Sequence, residues 1–221
     1  MDLPASLLSA GVEAAVYALA VLGLLALARR LPWKELAGGV QLNVLFGFAV
    51  CLTLIWSMKA GVKPGLNLHL LGAMAATLAL GPWKAVAALA LALCGITVNG
   101  TLEWGDWPAN FVLMALVPVA FASGLHRLVE RLLPAHFFIF IFVTGFAGSA
   151  LTVMAQGLTA STVLALSGAY SADFLWSDYL PFFLLLGFSE GWISGAIITL
   201  MVVYRPEWVS AFDDRRYLLD K

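Results

Sequence analysis

Charge is what this 221-residue chain has least of: Asp, Glu, Lys and Arg make up 11% of it, against 62% hydrophobic residues. Soluble domains carry about 25% charged and about 45–50% apolar residues, so a water-soluble globule and a disordered chain are both excluded. A basic excess is missing as well. The net charge of −1 offers no footprint for nucleic acid. Cysteine is limited to Cys51 and Cys94, each alone in an apolar stretch, and no Cys-x-x-Cys or Cys/His cluster occurs. Two isolated thiols support neither a disulfide framework nor a zinc finger, and they are expected to be packing residues. No basic residue precedes the first apolar run in Met1-Asp2-Leu3-Pro4, so the first span is expected to be retained and not cleaved as a signal peptide. Long polar extensions and a Gly-x-x-x-x-Gly-Lys-Ser/Thr motif are also lacking, so no ATP site is expected.

What the chain does have is apolar sequence in charge-free runs, with a mean hydropathy of +0.94. A spanning helix with its loop uses about 25–35 residues, so the length suits roughly six to eight spans in one compact unit. The runs predict spans near 10–28, 40–57, 66–80, 84–99, 108–125, 136–157 and 179–203, within a single membrane domain over 1–221. Gly81-Pro82 separates the third run from the fourth. The mixed stretch 158–178, with Asp173 and Asp178, reads as a long external loop, partly helical. No period-two alternation suggests a barrel, so the expected fold class is all-α and polytopic, with about seven transmembrane helices. Seven spans place Arg29, Arg30, Lys34, Lys84, Arg127, Arg131, Arg205, Arg215, Arg216 and Lys221 on one side, and only Lys59 and Lys63 on the other. That asymmetry predicts an external N-terminus and a cytoplasmic C-terminus. Asp2, Glu103, Asp106, Asp173 and Asp178 then fall outside. This acidic face either attracts cations or is ordinary loop solvation.

Small residues recur every fourth position in two spans, as Ala10, Ala14 and Ala18 in the first and Gly187, Gly191 and Gly195 in the last. Such stripes allow close backbone approach, either inside the protein or to a partner. Polar groups at depth are costly and usually have a function or a bonding partner. They are Glu13, Asn43, Asn67, His69, Asn99, Asn110, Gln156 and Glu190. His69, at the outer entrance of the third span, is either a metal ligand or an imidazole bonded to a neighbouring helix. His126 and His136 flank an inner loop and read as interfacial. Glu190, beside Gly191, either seals a helix contact or meets a partner.

Asn67-Leu68-His69-Leu70-Leu71-Gly72, Leu80-Gly81-Pro82-Trp83, Gly105 through Ala109-Asn110, Glu190-Gly191 and Arg205-Pro206-Glu207 occur in this order along nearly the whole chain. Their order and spacing resemble the CbiM/NikM proteins, substrate-binding membrane components of energy-coupling factor transporters for cobalt and nickel. The resemblance implies about seven spans with an external N-terminus and a multi-pass place in a bacterial inner membrane. It also implies no intrinsic cofactor, with a divalent transition metal as substrate, a transmembrane coupling subunit and cytoplasmic ATPase subunits. In that family the terminal amine, a backbone amide and a second-position histidine join a histidine of the third span around the metal. Here the matching residues are Met1, Asp2 and His69, with Asn67, Glu103, Asp106 and Asn110 as further candidates to line the site. The departure is Asp2, where the family carries histidine. A carboxylate is a harder donor than imidazole and should weaken selection for nickel or copper.

The leading expectation is therefore a substrate-capture component that takes up a transition-metal cation such as cobalt or nickel and hydrolyses no ATP itself. The alternative is a non-transporting accessory or assembly protein on the same scaffold, which the changed N-terminus favours. An intramembrane protease is a poor fit. Gly191-Trp192-Ile193-Ser194-Gly195 has one residue too many for Gly-x-Ser-Gly, Phe121-Ala122-Ser123-Gly124 lacks the first glycine, and neither is matched to a histidine.

Overall fold

The computed structural model describes residues 2–36, 39–61, 63 and 65–219. Seven helices of eight residues or more dominate them: α1 (Ala10–Arg30), α2 (Val40–Ser57), α3 (Ala73–Leu80), α4 (Pro82–Val98), α5 (Trp107–Leu132), α6 (Ile139–Leu166) and α7 (Ala172–Tyr204). Five are long and apolar enough to cross a membrane; α4 has 17 residues and α3 only 8. Two short strands, β1 (Ala60–Gly61) and β2 (Asn67–Leu68), pair antiparallel between α2 and α3. The protein is an all-α polytopic membrane protein.

Several hydroxyl side chains inside the helices bond to their own helix backbone. Thr77, Thr97 and Thr152 each donate to the carbonyl four residues earlier, at 2.7 Å. A bilayer offers no water to do this instead. α5 and α7 contain a wide turn at Val112–Leu116 and Leu175–Tyr179, each just ahead of a proline, Pro118 and Pro181. Proline has no N–H to donate, and a widened turn absorbs the lost bond.

The third expected span is the main departure. A helix of eight residues rises only about 12 Å, against a hydrocarbon core of about 30 Å. Residues 66–72 are extended or turning and not helical. Irregular backbone at such depth is tolerated only where protein encloses it, and every residue of α3 is buried. Both ends of α3 find partners on distant elements. The Glu190 carboxylate accepts from the Leu71 and Gly72 amides ahead of the helix, each at 2.7 Å. After the helix, Ser210 and Ala211 amides donate to the Ala79 and Leu78 carbonyls at 2.9 and 3.0 Å. Gly72 and Gly81, with φ of +69° and +76°, make the turns into and out of α3 that L-residues resist.

The stretch 158–178 is also more helical than its composition suggests. α6 runs on to Leu166 and α7 begins at Ala172, leaving only 167–171 between them. Thr159 and Thr162 are absorbed by bonds to Ala155 and Leu158 carbonyls, both 2.8 Å. Ser171 accepts from the Phe174 amide at 3.3 Å and starts α7. The fifth run continues as a helix through His126 to Leu132, the extension that its sequence suggests.

α7 lies along α6, and Gly187, Gly191 and Gly195 are all buried on that face. A Cβ at Gly191 would sit 3.1 Å from the Phe146 carbonyl oxygen, and one at Gly195 would sit 2.4 Å from the Phe146 ring. Gly191→Leu is therefore expected to force the helices apart, with a loss of about 1–3 kcal/mol seen as a lower melting temperature in detergent. An unchanged melt would mean that the two helices do not pack here. The alanine stripe behaves differently. Ala10, Ala14 and Ala18 all face outward, as do Leu22 and Leu25 of the same helix. Cys51 is exposed and Cys94 half-buried, so Cys51 is not the packing residue expected of it.

Most basic residues gather at one end. There Arg30 lies 5.3 Å over the Trp83 ring, Lys84 donates to Gln41 at 3.2 Å, and Glu130 pairs with Arg216 and His126. Lys221 lies outside the described residues. Asp2, Lys59, Asp106 and His69 sit together at the opposite end of the bundle.

Candidate metal centre

The site is built by strapping the N-terminal segment across the start of α5. Asn110, wholly buried, grips the backbone of Leu3 twice: its Oδ1 accepts from the Leu3 amide at 2.8 Å and its Nδ2 donates to the Leu3 carbonyl at 3.0 Å. Asp106 accepts from the Ala5 amide at 2.7 Å. Pro4 fixes its own φ and shortens the free reach of the chain end, and Leu3 is 2% exposed beneath this clamp. Asn110 and Asp106 thus hold the strap and do not point donors into the site. Glu103 is exposed on the 99–106 loop. Met1 lies outside the described residues.

Asp2 and His69 meet under the strap, both buried. His69 Nε2 is 3.8 Å from Asp2 Oδ1, and Asn67 Nδ2 lies 3.5 Å from Asp2 Oδ2. His69 Nδ1 is 3.0 Å from the Leu70 carbonyl, a contact that needs Nδ1 to carry the proton. Nε2 is then left with a lone pair, and it finds no hydrogen-bond partner among the described residues. The ring packs against buried Trp56, with centroids 5.6 Å apart. Metal–nitrogen bonds are about 2.0–2.1 Å, so one ion can reach two donors 3.8 Å apart. Among the described residues no three His, Cys, Asp or Glu side chains converge on one point, so a metal held by Asp2 and His69 would need further donors.

Glu190 acts from below. It is 1% exposed, accepts from Leu71 and Gly72 amides and from the Ser194 hydroxyl at 2.8 Å, and so fixes the turn that follows His69. Its role is positioning: among the described residues its hydrogen bonds go to Leu71, Gly72 and Ser194 and not to Asp2 or His69. A cavity of about 600 Å³ beside this turn, lined by Phe48, Leu52, Ile55, Ser194 and Ile197, is apolar and excludes both Asp2 and His69.

Two side chains of the site were not anticipated as parts of it. Lys59 ion-pairs with the Asp2 carboxylate and donates to the Thr101 carbonyl at 3.2 Å. Tyr179 is fully buried within electrostatic reach of Asp2, and its hydroxyl has no hydrogen-bond partner among the described residues. For Lys59 the signal was present in the sequence: it is one of only two cations on the acidic side.

An N-terminal strap clamped over a buried carboxylate and imidazole, on a bundle of apolar helices, defines a membrane protein with a polar binding site at one end. The chain belongs to the CbiM family, the cobalt uptake substrate-specific transmembrane region, whose model matches residues 2–208. It is a substrate-specific membrane component of metal uptake. Two solved structures share its fold. A truncated transition metal transporter superposes with a TM-score of 0.75 at 19% identity, covering 92% of this chain and 99% of that one. A second transition metal transporter also gives 0.75 at 21% identity, covering 91% of this chain and 92% of the other. No curated protein sequence matches the chain significantly.

Proposed function

We propose that this protein captures a divalent transition-metal cation of the cobalt and nickel class at its external end. It then passes the ion inward with energy from separate subunits. The observation that carries this reading is the buried pair of Asp2 Oδ1 and His69 Nε2, 3.8 Å apart, with the imidazole lone pair left open. The N-terminal backbone supplies the remaining donors, as the CbiM/NikM resemblance implies. A transmembrane coupling subunit and cytoplasmic ATPases are the partners this reading requires, and the exposed face of α1 with Ala10, Ala14 and Ala18 is the surface offered to the first. Elemental analysis of the protein purified with an untagged N-terminus tests the reading, and cobalt or nickel near one equivalent is expected.

The second reading, an accessory protein that transports nothing, is favoured by one observation. The Asp2 carboxylate is already neutralised by Lys59. A protein that carries no transition metal after purification in excess cobalt or nickel would support it.

Both readings place the N-terminus outside, following the positive-inside asymmetry. Cysteines replacing exposed Glu103 and Asp173, in a background without Cys51 and Cys94, are expected to react with an impermeant reagent on intact cells. Cysteines at Lys84 and Arg131 are expected to be protected. Labelling of either inner position would overturn the orientation.

A further inference from the structure

We infer that Lys59 is a tethered cation that occupies the Asp2 carboxylate when the metal is absent and must give it up for the metal to bind, which keeps affinity low enough for release. This inference rests on the metal-capture reading above.

The geometry gives Lys59 two attachments of unequal kind. Its ammonium pairs with Oδ2 of Asp2, while Oδ1 of the same carboxylate faces His69 Nε2. Its second acceptor is the neutral Thr101 carbonyl at 3.2 Å. An incoming dication takes the carboxylate and repels the ammonium beside it, since charges a few ångströms apart in a partly buried site interact strongly. The ammonium has somewhere to go. The Lys59 side chain is 26% exposed against 6% for Asp2, and residue 59 lies beyond the end of α2 on a flexible four-carbon stem. Once displaced, it keeps Thr101 and reaches water.

The same pair explains how an empty site stays formed. A buried carboxylate without a counter-charge is strongly unfavourable. Lys59 supplies a counter-charge between captures and helps to hold the strap residue Asp2 in place. The bound metal then displaces that cation from the carboxylate, so the net gain on binding is less than it would be without Lys59. In this chain, a lysine therefore sets how tightly the substrate is held.

Isothermal titration of cobalt and nickel into the full chain in detergent, with its N-terminus untagged, tests the inference. Lys59→Met keeps the stem and removes the charge. It is expected to bind at least tenfold more tightly than the parent, about 1.4 kcal/mol, with a lower melting temperature when metal-free. Lys59→Arg, which keeps the charge, is expected to stay near the parent affinity. Lys59→Gln carries the same expectation as Lys59→Met and decides the matter if the methionine variant does not fold. A Lys59 with only a structural role would predict weaker binding in the neutral variants. If the parent binds metal and both neutral variants bind no tighter, the inference is overturned while metal capture stands. If neither parent nor variants bind cobalt or nickel, the metal-capture reading fails and takes this inference with it.

Discussion

Glu190→Ala is expected to be among the most destabilising single substitutions in this protein, with a loss of about 2–6 kcal/mol, because two buried backbone N–H groups lose their acceptor at about 1–3 kcal/mol each. The carboxylate accepts three hydrogen bonds, from the Leu71 and Gly72 amides and the Ser194 hydroxyl. These bonds share one carboxyl group, so their contributions do not add fully. Alanine would leave two backbone N–H groups enclosed by protein with no water to take them. α3 starts at the residue after Gly72, so its entry would lose definition and the His69 ring upstream would lose its orientation. Glu190→Gln is expected to fall between parent and alanine. Its one carbonyl oxygen can still accept, but its amide nitrogen would turn a donor toward another donor. Melting curves in detergent for the three proteins check this, and cobalt affinity should fall in the same order. Equal stability of the alanine variant and the parent would show that the 69–72 turn stands without Glu190.

The long apolar helices could be read from the sequence because their cause is local: charge-free runs of bilayer length form helices to satisfy their own backbone. The short α3 could not be read that way. Its neighbours 66–72 are as apolar as a helix, and what prevents a helix there is the non-local supply of partners from Glu190 and from β1. In the same way, 158–178 looks like a loop by composition, but Thr159 and Thr162 are paired within α6. At the site, Asp2 and His69 could be named through the resemblance, and the structure brings them within 3.8 Å. The roles of Asn110 and Asp106 could not be anticipated. They sit at the start of α5, and only the fold shows that they bind the backbone of Leu3 and Ala5. Lys59 is the sharpest case. A charge count lists it as one of two outer cations, and nothing in its flanking residues announces that it pairs with a carboxylate 57 positions away.

His69→Ala is expected to abolish cobalt and nickel binding, with the metal-free protein still folded but melting lower, since truncating a ring packed on Trp56 leaves a cavity. The imidazole contributes a nitrogen whose lone pair meets no hydrogen-bond partner among the described residues and whose other nitrogen is tied to the Leu70 carbonyl, so its orientation is fixed before the metal arrives. Even outer-shell partners of metal ligands are worth about 10–100-fold in affinity, so loss of a direct donor should exceed that. Asp2→His should act in the opposite direction. It exchanges a hard oxygen for a nitrogen suited to cobalt and nickel, and it also releases Lys59 from the site. A one-residue extension ahead of Met1 should weaken binding by moving the terminal amine that the family resemblance assigns to the metal. Titration of nickel and cobalt into parent, His69→Ala, Asp2→His and the extended chain reads these effects. Undiminished binding by His69→Ala would remove the imidazole from the site, and with it the geometry on which metal capture rests.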